Sequence, residues 1–194
     1  MATENEQSFL EVFTAALVAL PFDLKVLVDV IAEADLDAAA QEQAAAAFIH
    51  ILSPKDGHYE PFLRHAEDVV LLRLALKHVA DGGGDGVAHL RARFPDSFGN
   101  LETELGLMRE ALGVRVVDWL DSRWPSLKKA VYAKKTAVKL VQDESLVPFL
   151  YDVADEFATN YSITESIGSR VKQVQPIREH LERKLEQDKM RISH

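Results

Sequence analysis

The hydrophobic positions of this chain recur mostly at three- and four-residue steps, the period of a helix with one buried face. Phe9, Val12, Phe13, Ala16, Leu17 and Leu20 mark a first helix over residues 8–20. Pro21 is expected to end it or to mark the next turn, because proline lacks the amide that an inner helical turn needs. Leu24, Leu27, Val28 and Ile31 resume the period as a second helix, with Lys25, Asp29 and Glu33 on the other side. Asp35 or Asp37 offers an N-cap for a third, AAAQEQAAAAFIHIL. Its small side chains let a neighbour approach closely, which places it centrally.

Pro54 stops the third helix and Pro61 opens a fourth, since proline is tolerated in a first turn. Phe62, Val69, Val70, Leu72, Leu74, Leu76 and Val79 cover so much of the fourth that it reads as buried. DGGGDG, residues 81–86, is the strongest chain break and reads as a flexible surface turn. Two shorter helices follow, broken near 95–99. Asn100 is placed to cap the second of them, with Leu101, Leu105, Met108 and Leu112 inward.

VRVVDW, residues 114–119, is the only strand-like run; short and without an evident partner, it reads as the start of a helix ending near Trp124. Residues 125–141 read as one further helix, with Leu127, Val131, Val138 and Val141 on one side. Lys128, Lys135 and Lys139 then form a basic stripe beside Tyr132. Another helix spans 144–161, with Leu146, Phe149, Leu150, Val153 and Phe157 inward. Ser162 and Glu165 have capping-box spacing for the last helix. In it, Ile167, Val171, Val174, Ile177, Leu181 and Leu185 make a narrow seam suited to one partner helix, within the chain or across a dimer. Pro176 is expected to kink or divide it. The fold class expected is all-α: a compact multi-helix bundle of about eight helices with a C-terminal helical hairpin.

Charge adds a division to this picture. Residues 1–122 carry 9 Lys+Arg against 21 Asp+Glu, whereas residues 123–194 carry 13 against 10. The reading is an acidic helical core, 1–122, with a basic helix and helical hairpin, 123–194, attracted to it and packed on it as one domain. The overall charge of −9 argues against bulk attraction to nucleic acid or anionic lipid. With no cysteine, disulfides, thiolate metal sites and a cysteine nucleophile are excluded together. The start, MATENEQSFL, carries acids where a signal peptide has a basic leader. No uncharged apolar stretch reaches the roughly 20 residues of a membrane span. Cytoplasmic is the expected location.

Candidate chemistry concentrates at residues 53–68, SPKDGHYEPFLRHAED. Asp56, His58, His65 and Asp68 form a candidate metal site, with Glu60 or Glu67 to complete it. Imidazole with carboxylate suits zinc, manganese or iron, so a divalent metal is the one cofactor the residues provide for. The spacing matches no signature such as H-E-x-x-H, and acidic residues also flank helix starts for structural reasons. His50, between Ile49 and Ile51, reads as a hydrogen-bonded core or boundary histidine. His78 and His89 read as surface groups, and His180 as part of a solvated face with Glu179, Glu182 and Arg183. No G-x-S-x-G elbow and no dinucleotide fingerprint occur. Glu67 and Asp68 are adjacent, hence about 100° apart on a helix, and would not share a proton. No catalytic residue is identified.

The run AAFIHILSPKD followed by EDVVLLRLALKHV resembles the YkvA-like bacterial domain of unknown function, over about residues 24–79. Ser53, Pro54 and Asp56 match its S-P-x-D motif, and Glu67 with Asp68 match an acidic pair that opens an apolar helix. The loop between them, GHYEPFLRHA, is shorter than the family's and poorer in Ile and Pro. The resemblance implies a helical fold and no particular activity. Asp56 is expected to cap the loop or the next helix, and Asp68 to hydrogen-bond to loop amides. The function expected is that of a non-enzymatic interaction or scaffold protein, with a protein partner or self-association through the C-terminal helix. The alternatives are a metal-binding protein or metal-dependent enzyme using the 56–68 cluster, and peripheral membrane association through Lys128, Lys135 and Lys139.

Overall fold

In the computed structural model, which describes residues 3–55, 57–164 and 171–192, helix α1 (Glu4–Ala32) runs on through Pro21. Thr3 starts it with a capping box, its hydroxyl accepting from the Glu6 amide. The expected break at Pro21 does not occur, and the reason is tertiary. Proline cannot donate to the carbonyl four residues back, that of Leu17. The Tyr161 hydroxyl donates to that carbonyl instead, at 2.7 Å. Replacing Tyr161 by phenylalanine should cost about 1–3 kcal/mol, the range for stranding a buried polar group. Urea unfolding in the parent and in a Pro21→Ala background checks this, because alanine restores the local amide and should shrink the penalty.

Helix α2 (Ala38–Leu52) packs against α1 through a fully buried run, Ala44 to Ile49. Gln41 donates its amide to the Ile31 and Glu33 carbonyls, at 3.0 and 2.9 Å, and so closes the end of α1. Pro61 opens only one turn, α3 (Pro61–Arg64), before the long α4 (Ala66–Gly82). As expected, α4 is buried on most sides, but it also takes Glu67, Asp68 and Arg73 inside. Arg73 donates to Asp23 at 2.8 Å and to Glu104 at 2.6 Å, while Ser97 donates to the other Asp23 oxygen at 2.8 Å.

The glycine break is a tight turn: Gly83 and Gly84 adopt φ of +67° and +89°, which side chains rarely allow. Helices α5 (Asp85–Arg93), α6 (Pro95–Phe98), α7 (Leu101–Leu112), α8 (Val114–Asp121) and α9 (Trp124–Leu127) follow. Leu101, Leu105, Met108 and Leu112 all face inward, as their spacing requires.

The single basic helix expected over 125–141 is not formed. After α9, strands β1 (Val131–Tyr132) and β2 (Lys135–Thr136) pair antiparallel around Ala133 and Lys134, both with positive φ. Thr136 then caps α10 (Ala137–Gln142), its hydroxyl accepting from the Lys139 amide at 3.4 Å. A 3₁₀ turn over Glu144–Leu146 leads into α11 (Val147–Asn160).

The final helix, α12 (Gln175–Ile192), carries Pro176 in its first turn, so the proline divides the seam rather than kinking it. Ile167 and the Glu165 half of the expected capping box lie outside the described residues. Val171, Val174, Ile177, Leu181 and Leu185 are all buried, with α12 lying on α3, α4, α7 and α8. The seam is thus used within the chain. Among the described residues α11 packs chiefly on α1, and its Phe157 also meets His65, between α3 and α4, with ring centroids 6.2 Å apart. The class is all-α, and among the described residues the helices outnumber the expected eight, three of them being single turns of four residues.

Candidate functional site

Adjacent positions on a helix point about 100° apart, so Glu67 and Asp68 enter the interior toward different partners. Asp68 is fully buried. Its Oδ1 accepts from Lys55 Nζ at 2.7 Å and its Oδ2 is 2.7 Å from His65 Nδ1. Lys55 also donates to the His50 carbonyl at 2.8 Å, placing its charge at the negative end of α2. Burial opposes ionisation of Asp68, but Lys55 and the His65 bond outweigh it and hold the carboxyl below the usual range. The expectation of bonds to loop amides therefore gives way to side-chain partners among the described residues.

His50 Nε2 lies 3.3 Å from Asp68 Oδ1 without hydrogen-bonding geometry. Burial, reinforced by Lys55, lowers its pKa to about 4, so it is neutral at pH 7.

Glu67 is 4% exposed. Arg123 binds one of its oxygens and Lys184, from α12, the other. Burial works against its charge, yet His50 when protonated, Lys184 and Arg123 bring its pKa down to about 2. These pairs join residues beyond 122 to carboxylates in the first part of the chain, as does Lys128 with Glu42 at 3.0 Å.

His180 corrects the sequence reading. Only 2% exposed, it meets the Tyr59 ring edge-on at 4.6 Å, and burial, with Lys184, lowers its pKa to about 4. It is interior because Ile177 and Leu181 on the same face are interior. His78 is half-buried against Asp121, 2.7 Å away, while His89 is exposed and pairs with Glu33 at 2.8 Å.

Of the candidate metal ligands, Asp56 lies outside the described residues and His58 is exposed in the loop. His65 and Asp68 do meet, but bonded to one another. Among the described residues no three His, Asp or Glu side chains are arranged to hold a metal ion. The lysine stripe disperses: Lys128 pairs with Glu42, Lys139 with Asp143 at 2.9 Å, and Lys135 sits 5.4 Å from the Phe149 ring centroid. No described helix is long and apolar enough to cross a membrane.

Two hollows flank α12. An open groove of about 690 Å³ runs between the turn joining α7 to α8 and the N-terminal half of α12. Leu112 and Val116 give it an apolar floor, and Glu179, Glu182 and Glu186 give it an acidic rim, opposed by Arg115 and Arg183. A smaller pocket of about 220 Å³ opens over Glu67. Neither was legible in the sequence, since both are made where α12 meets α8.

The YkvA-like resemblance of residues 24–79 rests on its motif residues. No protein-family model, curated protein or solved structure matches this chain.

Proposed function

We propose that the protein is a non-enzymatic interaction protein, and that its binding face is the groove between the α7–α8 turn and α12. The observation that carries this reading is the groove's composition. An apolar floor lies under an acidic rim, and Arg115 is already paired with Glu186. Val114, between two groove residues, is 57% exposed and adds an accessible aliphatic side chain at the groove's edge. The complementary partner is a basic amphipathic helix of another protein, its apolar stripe against the exposed Val114 and the apolar floor of the groove and its lysines or arginines on the rim. The polar cluster at 53–68 supports the same reading, because its buried charges answer one another and serve the architecture.

A labelled amphipathic Lys/Leu peptide should bind the full chain in fluorescence polarisation. Reversing both Glu179 and Glu182 to arginine should weaken binding at least about tenfold, roughly 1.4 kcal/mol. Replacing the peptide's leucines by serine should abolish it. Equal binding of a Glu/Leu counterpart, or an unchanged affinity of the reversed variant, sinks the proposal.

A further inference from the structure

The smaller pocket has a lopsided supply of hydrogen-bonding groups. Glu67 forms its floor; Trp119 and Arg123 come from α8 and the turn after it, and the remaining groups from α12. Lys184, Gln187, Asp188 and Arg191 sit at i, i+3, i+4 and i+7, so one stripe of α12 delivers four polar side chains to one place.

Both carboxylates of the pocket are already engaged. The two Glu67 oxygens are taken by Arg123 and Lys184, and Asp188 accepts the Trp119 indole N–H at 2.9 Å. The donors are in surplus. A guanidinium carries five N–H groups and an ammonium three, whereas Arg123 and Lys184 each commit one to Glu67. Among the described residues the Gln187 and Arg191 side chains have no hydrogen-bond partner. Three cations face two carboxylates, which leaves a positive pocket on a chain whose overall charge is −9.

A ligand that completes such a site brings acceptor oxygens and negative charge. The cations reach the pocket from two elements and from different heights along α12, an arrangement that fits a tetrahedral oxyanion better than a planar carboxylate held by one guanidinium fork. Arg123 is held 5.0 Å from the Trp119 ring centroid, so its remaining N–H groups are oriented in advance. Trp119 is itself half-buried and offers an apolar surface beside them. The volume, about 220 Å³, lies below the roughly 300 Å³ at which pockets for larger ligands begin. We propose that this pocket binds a small phosphate-bearing anion, a free phosphate or a phosphomonoester whose body rests on Trp119. The proposal is independent of the groove and its peptide partner.

The test is a titration of the full chain with inorganic phosphate, phenyl phosphate and benzoate at constant ionic strength, read by calorimetry and by indole fluorescence. Saturable one-to-one binding is expected, tightest for phenyl phosphate and weakest for benzoate. A stronger response to inorganic phosphate than to phenyl phosphate would assign the site to the free ion. Arg191→Ala, at an exposed position, should leave the melting temperature of the unliganded protein unchanged and weaken phosphate binding about tenfold. Absence of saturable phosphate binding, benzoate binding as tight as phenyl phosphate, or parental affinity in Arg191→Ala overturns the proposal.

Discussion

Replacing Asp68 by alanine is expected to lower folding stability by about 3–5 kcal/mol, the cost of removing one partner from a buried ion pair. Lys55 and His65 both lose the Asp68 carboxylate, and Lys55, only 16% exposed, keeps among the described residues the His50 carbonyl alone and no counter-charge. The sharper measurement is the contrast with Asp68→Leu combined with Lys55→Met. There the buried charges leave together, and an apolar replacement of similar volume is often neutral. Urea unfolding of parent, single and double variants should show the double recovering most of the loss. If Asp68→Ala unfolds within about 1 kcal/mol of the parent, the buried pairing of Asp68 does not hold the junction together.

The second large effect is an acid destabilisation that begins well above the carboxylate range. His50 and His180 have pKa values near 4 in the folded chain against 6.5 as the ordinary value. Between those limits the unfolded chain binds protons that the folded chain refuses, so stability falls as pH drops from 6.5 to 4. Each histidine accounts for a loss on the order of 3 kcal/mol. Glu67, near 2 in the fold against 4.5 ordinarily, adds a further loss as pH falls from 4.5 toward 2. Melting temperatures across this range should trace the two stages. Glutamine at position 180 should flatten the upper one and leave the lower, whereas glutamine at position 50 should flatten the upper and also shrink the lower, because Glu67 loses the positive neighbour that most favours its charge. A His180→Gln variant with the parental slope between pH 6.5 and 4 would contradict its neutral burial.

How much of this was legible depended on the range of the interaction. The α2 run of alanines announced its central place, because small side chains at helical spacing have one obvious use. The same holds for Leu101, Leu105, Met108 and Leu112, which face inward as their period demands. The seam Ile177, Leu181, Leu185 was equally plain; which helices would cover it was not. His180 was misread because its sequence neighbours Glu179, Glu182 and Arg183 are solvated, although one position on a helix turns the side chain by 100°.

The basic stripe failed for a related reason. Its lysines share a helical face only if the helix is continuous, and the hairpin around Ala133 and Lys134 breaks it. Val131, Tyr132 and Thr136 are β-branched or aromatic residues, and Thr136 before AVKLV is an N-cap signal. Both hints were present but lost to the longer periodic pattern.

The 53–68 stretch shows the division most clearly. Sequence alone determined that two helices meet there, that Pro54 and Pro61 bound the junction, and that Glu67 and Asp68 point apart, since these follow from φ restrictions and from the 100° helical step. Which charges answer them is beyond local rules. Arg123 lies 56 residues from Glu67 and Lys184 lies 117 away, and Tyr161 reaches the carbonyl that Pro21 strands from 144 residues off. Burial turns each such acceptor into a demand for a partner, and only the tertiary packing decides which distant side chain meets it.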